Sequence, residues 1–189
     1  ATHFAKDDAL AELEKLASSY KPRHIADIYR AREAQVLFDA GRKDEAISLM
    51  RDIMAKGGPL SQSPDYRTIL AGMIDQVGRR EEARTIIDAV LADAPNVVTA
   101  QKMRAGWLID EQDYSGAIST LRIALTAAPK DTDLMTMLAD AYEKAGTPEL
   151  AGRSLADAVE LTQAGVKHSL LYAQFLMRTG DERMATLTL

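Results

Sequence analysis

The chain has 189 residues, 47% hydrophobic and 27% charged, with 23 basic against 28 acidic side chains and a net charge of −5. A chain of this length buries roughly 70% of its unfolded surface, so it is expected to fold throughout. The acidic balance argues against a nucleic-acid partner, and the absence of cysteine removes disulfides, thiolate metal sites and a cysteine nucleophile. No run approaches the roughly 20 apolar residues of a membrane span, and residues 1–10 lack the charged and apolar regions of a signal peptide. Aromatics are only 5%, so alanine, leucine, isoleucine and methionine must build the interior, a palette that suits helix packed on helix.

Taken in chain order, residues 5–20 read as one amphipathic helix carrying Leu10, Leu13, Leu16 and Tyr20 and closed by Pro22. We take 1–23 as an N-terminal helix, the second half of a preceding pair. A first repeat, 27–60, holds Ala34, Gly41, Ala46, Met50, Ile53 and Gly58. The GGPLSQSP stretch then lengthens the spacing to the next repeat, and we assign 61–63 as an insert. From here the period is strict, because Ala71, Ala105, Ala139 and Ala173 are each 34 residues apart, as are Ala83, Ala117, Ala151 and Ala185. Between the two series falls a break at Gly78, Gln112, Gly146 and Gly180, and proline closes two repeats at Pro95 and Pro129. The repeats are thus 64–97, 98–131, 132–165 and a partial 166–189.

Within 132–165, Asp131 reads as an N-cap and Leu134, Leu138, Ala141 and Tyr142 lie on one stripe of a helix that stops at Gly146. Pro148 opens a second helix whose stripe holds Leu150, Ala151, Leu155, Ala158 and Val159. The turn between them is too short for anything but antiparallel packing, and alanine at both recurring positions lets the backbones approach closely.

This pattern resembles the tetratricopeptide repeat: alanine at position eight, glycine near fifteen, alanine at twenty, a large apolar residue at twenty-four and proline at thirty-two. In 98–131 these are Ala105, Gln112, Ala117, Leu121 and Pro129, with Asp113 and Tyr114 giving the acidic-tyrosine start of the second helix and Gln112 as the departure. The resemblance covers nearly the whole chain. It implies an all-α, right-handed superhelical solenoid of antiparallel pairs, about 10–11 helices in one solenoid domain. Such arrays finish in a polar cap; here the last helix carries Leu187 and Leu189, so we expect a fragment of a longer solenoid, or a homodimer through this uncapped helix.

The resemblance further implies a concave groove lined by the first helices. Carried onto this sequence, its residues are Thr68, Gly72 and Asp75, then Lys102, Gly106 and Ile109, then Thr136, Asp140 and Glu143, then Leu170 and Gln174. Neighbouring groove positions include Asp133, Lys144, Lys167, Met177 and Arg178. Acidic groups gather in the middle, which favours a basic segment as ligand. Gly72 and Gly106 are read as close packing between adjacent first helices rather than as room for a ligand backbone. Relatives that clamp acidic chaperone tails carry asparagine at position nine; this chain has Gln35, Gly72, Gly106, Asp140 and Gln174 there, which argues against that role.

Catalysis requires a nucleophile with its base, contrasting carboxylates or clustered metal ligands, and none is assembled. His3, His24 and His168 are far apart, and the latter two are expected at surface or turn positions. The acidic pairs Asp7 with Asp8 and Glu81 with Glu82 are expected at helix starts, where they oppose the dipole. The chain therefore reads as a non-enzymatic scaffold with no cofactor and no metal, binding a protein or peptide partner in its groove. The competing readings are an assembly segment of a larger protein in a bacterial secretion or cell-surface polysaccharide system, and a regulatory domain of a longer enzyme. The compartment stays open between bacterial cytoplasm and periplasm or envelope.

Overall fold

A computed structural model describes residues 2–20 and 23–188, with the side chains of 6–20 and 24–188. Among these the secondary structure is entirely helical: α1 (Thr2–Ser19), α2 (Arg23–Asp39), α3 (Lys43–Ala55), α4 (Pro59–Gln62), α5 (Pro64–Gln76), α6 (Arg80–Asp93), α7 (Val98–Asp110), α8 (Tyr114–Ala127), α9 (Thr132–Lys144), α10 (Pro148–Leu161), α11 (Val166–Thr179) and α12 (Glu182–Thr188). The fold is all-α and tetratricopeptide-like, built from consecutive helix pairs. It has one helix more than the sequence led us to expect. The extra element is α4, a single turn inside the GGPLSQSP stretch, started by Pro59 at its first position and held by the buried Leu60.

The helices fall into two compact units, Ala1–Ala94 and Pro95–Leu189. In the first, α1 packs on α2, α2 on α3, α3 on α5 and α5 on α6, with α4 touching α2, α3 and α5. In the second, each helix from α7 to α12 packs on the next, and α7 also touches α9.

The recurring alanines explain how such pairs close. Ala71, Ala83, Ala105, Ala117 and Ala151 are fully shielded, and Ala139, Ala173 and Ala185 almost so. Ile74, Ile87 and Val90 fill the first unit around them, with Ile47, Met50 and Ile53 of α3. The second unit has two apolar clusters. One joins Ala105, Ala117, Leu121, Leu134 and Leu138; the other joins Ala139, Ala151, Leu155, Ala173, Phe175 and Leu176. Tyr142 packs against both. Leu150 departs from its expected stripe and is exposed.

Helix ends follow the residues that stand there. Asp113 Oδ1 accepts from the Gly116 N–H at 2.9 Å, and Asp131 Oδ1 from the Leu134 N–H at 3.0 Å. Gly146 ends its helix at a φ of +76°, and Gln112 is forced to +64° at the equivalent place. Two expectations are corrected. Asp7 and Asp8 sit inside α1, which begins five residues earlier, so they do not oppose its dipole. His168 is buried, 8% exposed, because the 100° helix step that turns Val166 and Lys167 outward turns residues 168 and 169 inward. His24 is exposed. The side chain of His3, and Leu189, lie outside the described residues.

Candidate functional site

Four of the expected groove residues meet in the second unit. Thr136, Asp140 and Glu143 from α9 and Gln174 from α11 surround a cavity of about 280 Å³, with Arg178 beside them and Ala139, Leu155 and Leu171 as its apolar walls. They converge because positions 136, 140 and 143 share one face of α9, at the i, i+4, i+7 spacing of an α-helix. Thr136 donates its hydroxyl to the Thr132 carbonyl at 2.9 Å, so it presents its methyl group and an acceptor rather than a free donor.

The charges on this face are already matched within the chain. Arg178 makes a two-pronged contact to Glu143, Nε at 3.1 Å and Nη2 at 2.9 Å, and that hydrogen bond holds the guanidinium pKa above its usual value. Lys144 Nζ lies 2.8 Å from Asp140, and the bond raises the ammonium pKa. Nearer the helix starts, Lys102 of α7 bonds to Asp131 at 2.8 Å, and Lys167 of α11 bonds to Asp133 at 2.9 Å. Lys102 also stands 3.9 Å from Asp133, so the four groups form a ladder of alternating sign across three first helices. The hydrogen bond from Lys167 depresses the Asp133 carboxyl. Burial pushes Asp131 up, but the Lys102 bond and the Leu134 N–H outweigh it and leave the carboxyl below its normal range. The acidic bias expected from the sequence is therefore a set of paired carboxylates, and a basic ligand would have to displace the chain's own cations.

The remaining expected residues are placed otherwise. In the first unit Thr68 is buried and donates to the Pro64 carbonyl at 2.8 Å, so it offers nothing to a ligand. Asp75 is half-buried and lies 3.3 Å from Arg80. In the second unit Ile109 packs on the apolar cluster of Ala105 and Leu121. Leu170 is exposed and lines a different depression. Gly72 and Gly106 correct the packing interpretation, since a Cβ built on either meets nothing within 4 Å. The space over them is open, which leaves room for an approaching backbone. Among the described residues no three His, Cys, Asp or Glu are grouped to hold a metal, and no helix is long and apolar enough to cross a membrane.

A tetratricopeptide-repeat family model matches residues 75–132 and 107–166. With the paired helices and buried alanines already described, that match makes residues 75–166 a run of tetratricopeptide repeats in an all-helical repeat protein. No curated protein sequence matches it. Solved structures of similar fold include MamA 41-end from Desulfovibrio magneticus RS-1, at 21% identity and a TM-score of 0.69, covering 86% of this chain and 90% of that one. A MamA RS-1 double mutant matches at 20% identity and a TM-score of 0.70, covering 86% and 89%. A further MamA crystal structure matches at 12% identity and a TM-score of 0.68, covering 82% and 89%. At such identities the likeness is one of fold.

In tetratricopeptide terms, the cavity uses positions five, nine and twelve of the fourth repeat and position nine of the fifth. Leu155 is a core residue, as its place on the α10 stripe implies, and it also walls the cavity; Leu171 follows the same apolar pattern, so the sequence does not distinguish either as a cavity wall. The repeat phase names the polar half of this face; which apolar atoms remain open beneath it depends on how far α11 stands from α9.

Proposed function

We propose that the chain is a non-catalytic protein-interaction scaffold, and that its second unit holds an extended or helical peptide segment along α9 and α11. The tetratricopeptide fold is a protein-interaction module, which is the general ground for this reading. The observation that carries it is the convergence of Thr136, Asp140, Glu143 and Gln174 over the apolar walls of Leu155 and Leu171. A small apolar pocket ringed by polar groups seats one anchoring side chain and reads its surroundings by hydrogen bonds. The open space above Gly106 supports close approach of a ligand backbone on the same unit.

The paired charges define the preferred ligand further. A lysine or arginine placed against Asp140 or Glu143 competes with Lys144 and Arg178, so net gain from charge alone is small. The favoured segment carries an apolar anchor with an amide or hydroxyl neighbour facing Gln174. Peptides selected from a displayed library against the whole chain, measured by fluorescence anisotropy, test this. Asp140→Ala with Gln174→Ala should weaken selected peptides about tenfold, or about 1.4 kcal/mol, without lowering the melting temperature. Binding unchanged by the double substitution overturns the assignment.

A further inference from the structure

The turn from α10 into α11 is built unlike its counterparts. The repeats before it close on Pro95 and Pro129, whereas here Gln163 stands in that place. Gln163 and Ala164 both take the left-handed conformation, at φ of +51° and +59°. Glycine is comfortable there, and two successive residues with a Cβ are not. After α6 and α8 the chain leaves instead through Ala94 and Ala128, extended at φ of −142° and −133°.

The first turn of α11 adds to this cost. Asp131 caps α9 with its side chain, but 34 positions on stands Gly165, which has none to offer. Leu134, fully buried in its apolar cluster, is matched in the next repeat by His168. Gln101, whose amide donates to the Pro95 carbonyl at 2.7 Å, is matched two repeats on by Ser169. His168 and Ser169 are both more than nine-tenths buried, yet neither His168 Nε2 nor the Ser169 hydroxyl has a hydrogen-bond partner. A polar atom in that position has given up its bonds to water and received nothing in return. Strain, a missing cap and two unpartnered buried groups thus meet within residues 163–169, and such concentrations mark elements that move.

We infer that the joint between α10 and α11 is a hinge: α11 and α12 lift off α10 together while α7 to α10 stay folded, so that docking of α11 makes and unmakes the cavity. The packing runs from α10 to α11 to α12, so α12 travels with α11. The docked state is held by the apolar cluster of Ala151, Leu155, Phe175 and Leu176. Two surface ion pairs to α9, Lys167 with Asp133 and Arg178 with Glu143, add little. Leu171, Gln174 and Arg178 all reach the cavity from α11, and lifting that helix leaves Thr136, Asp140 and Leu155 facing solvent. A ligand seated against both α9 and α11 binds only the docked state and therefore holds the joint closed.

The hinge does not rest on the peptide-binding reading, since its readout is hydrogen exchange of the whole chain without ligand. Amides of α11 and α12 should exchange through one common opening, at least about tenfold faster than those of α9 and α10. His168→Leu with Ser169→Ala removes both unpartnered groups and should slow α11 and α12 together by about tenfold, leaving α7 and α8 unchanged. Ala164→Gly relieves the turn by a separate route and should slow the same two helices about twofold. Each of these two comparisons sets a variant against the parent chain, so the place of α11 and α12 in the array cancels. Exchange of α11 no faster than that of α10 overturns the inference. So do unrelated rates in α11 and α12, an absence of slowing in both variants, or slowing spread equally from α7 to α12.

Discussion

Gln112 shows how much one side chain can be asked to bear. The four equivalent breaks at Gly41, Gly78, Gly146 and Gly180 have φ between +76° and +87°, and Gln112 follows the same path at +64°. A residue with a Cβ is strained there by roughly 1 kcal/mol, partly offset by the smaller entropy it loses on folding. Gln112→Gly should therefore raise the unfolding free energy by about 0.5 kcal/mol, seen as a higher urea midpoint at unchanged slope. A lower midpoint would mean that the side chain contributes contacts outweighing the strain. Histidine 168 and Thr68 make the opposite point. Both were legible as residues but not as environments, since a helix's rotation at its first turn decides whether a polar group faces water or a neighbour.

At the level of helix pairs, the two alanine series do the organising. Ala117 and Ala151 are fully buried where one helix of a pair meets the next, and each is the contact that lets the backbones close. Replacing either with leucine adds three carbons to a filled site and should cost about 1 to 3 kcal/mol, measured by chemical denaturation. A neutral result would mean that the repeat register is wrong at that position. The alanines and glycines were readable because they recur in phase and answer a steric demand that every repeat shares. Helix α4 was not readable, because a four-residue turn has no period; it exists because Pro59 can start it and Leu60 finds a buried site.

Across the molecule, the carboxylates of the ion pairs make stability fall on the acid side. Asp131 is held below its normal range because the bonds from Lys102 and the Leu134 N–H outweigh its burial. Lys167 depresses Asp133, Lys56 and then Arg30 depress Asp52, and Arg42 depresses Glu45. A carboxylate whose folded pKa lies below its unfolded value contributes stability that is present above about pH 4 and is lost as pH falls through the folded value. The urea midpoint should stay level from neutral pH down to about 5 and then fall below about 4. Asp131→Asn with Asp133→Asn keeps a capping residue on α9, loses the ladder, and should flatten that acid limb; an unchanged limb would place the acid sensitivity elsewhere.

By itself the sequence determined the 34-residue period, the all-α fold and the resemblance to tetratricopeptide repeats. It could do so because close packing of helix on helix imposes the same residue at the same place each time, and a repeated constraint leaves a period in the chain. Only the tertiary structure decided which polar side chains of the first helices are already paired or buried. Pairing of Lys102 with Asp131 and of Lys167 with Asp133 joins residues 29 and 34 positions apart, and nothing in a repeat consensus requires the signs to alternate. The same holds for the apolar walls of Leu155 and Leu171 beneath Asp140 and Gln174. Each depends on the distance between neighbouring helices, which the side chains of several repeats set together.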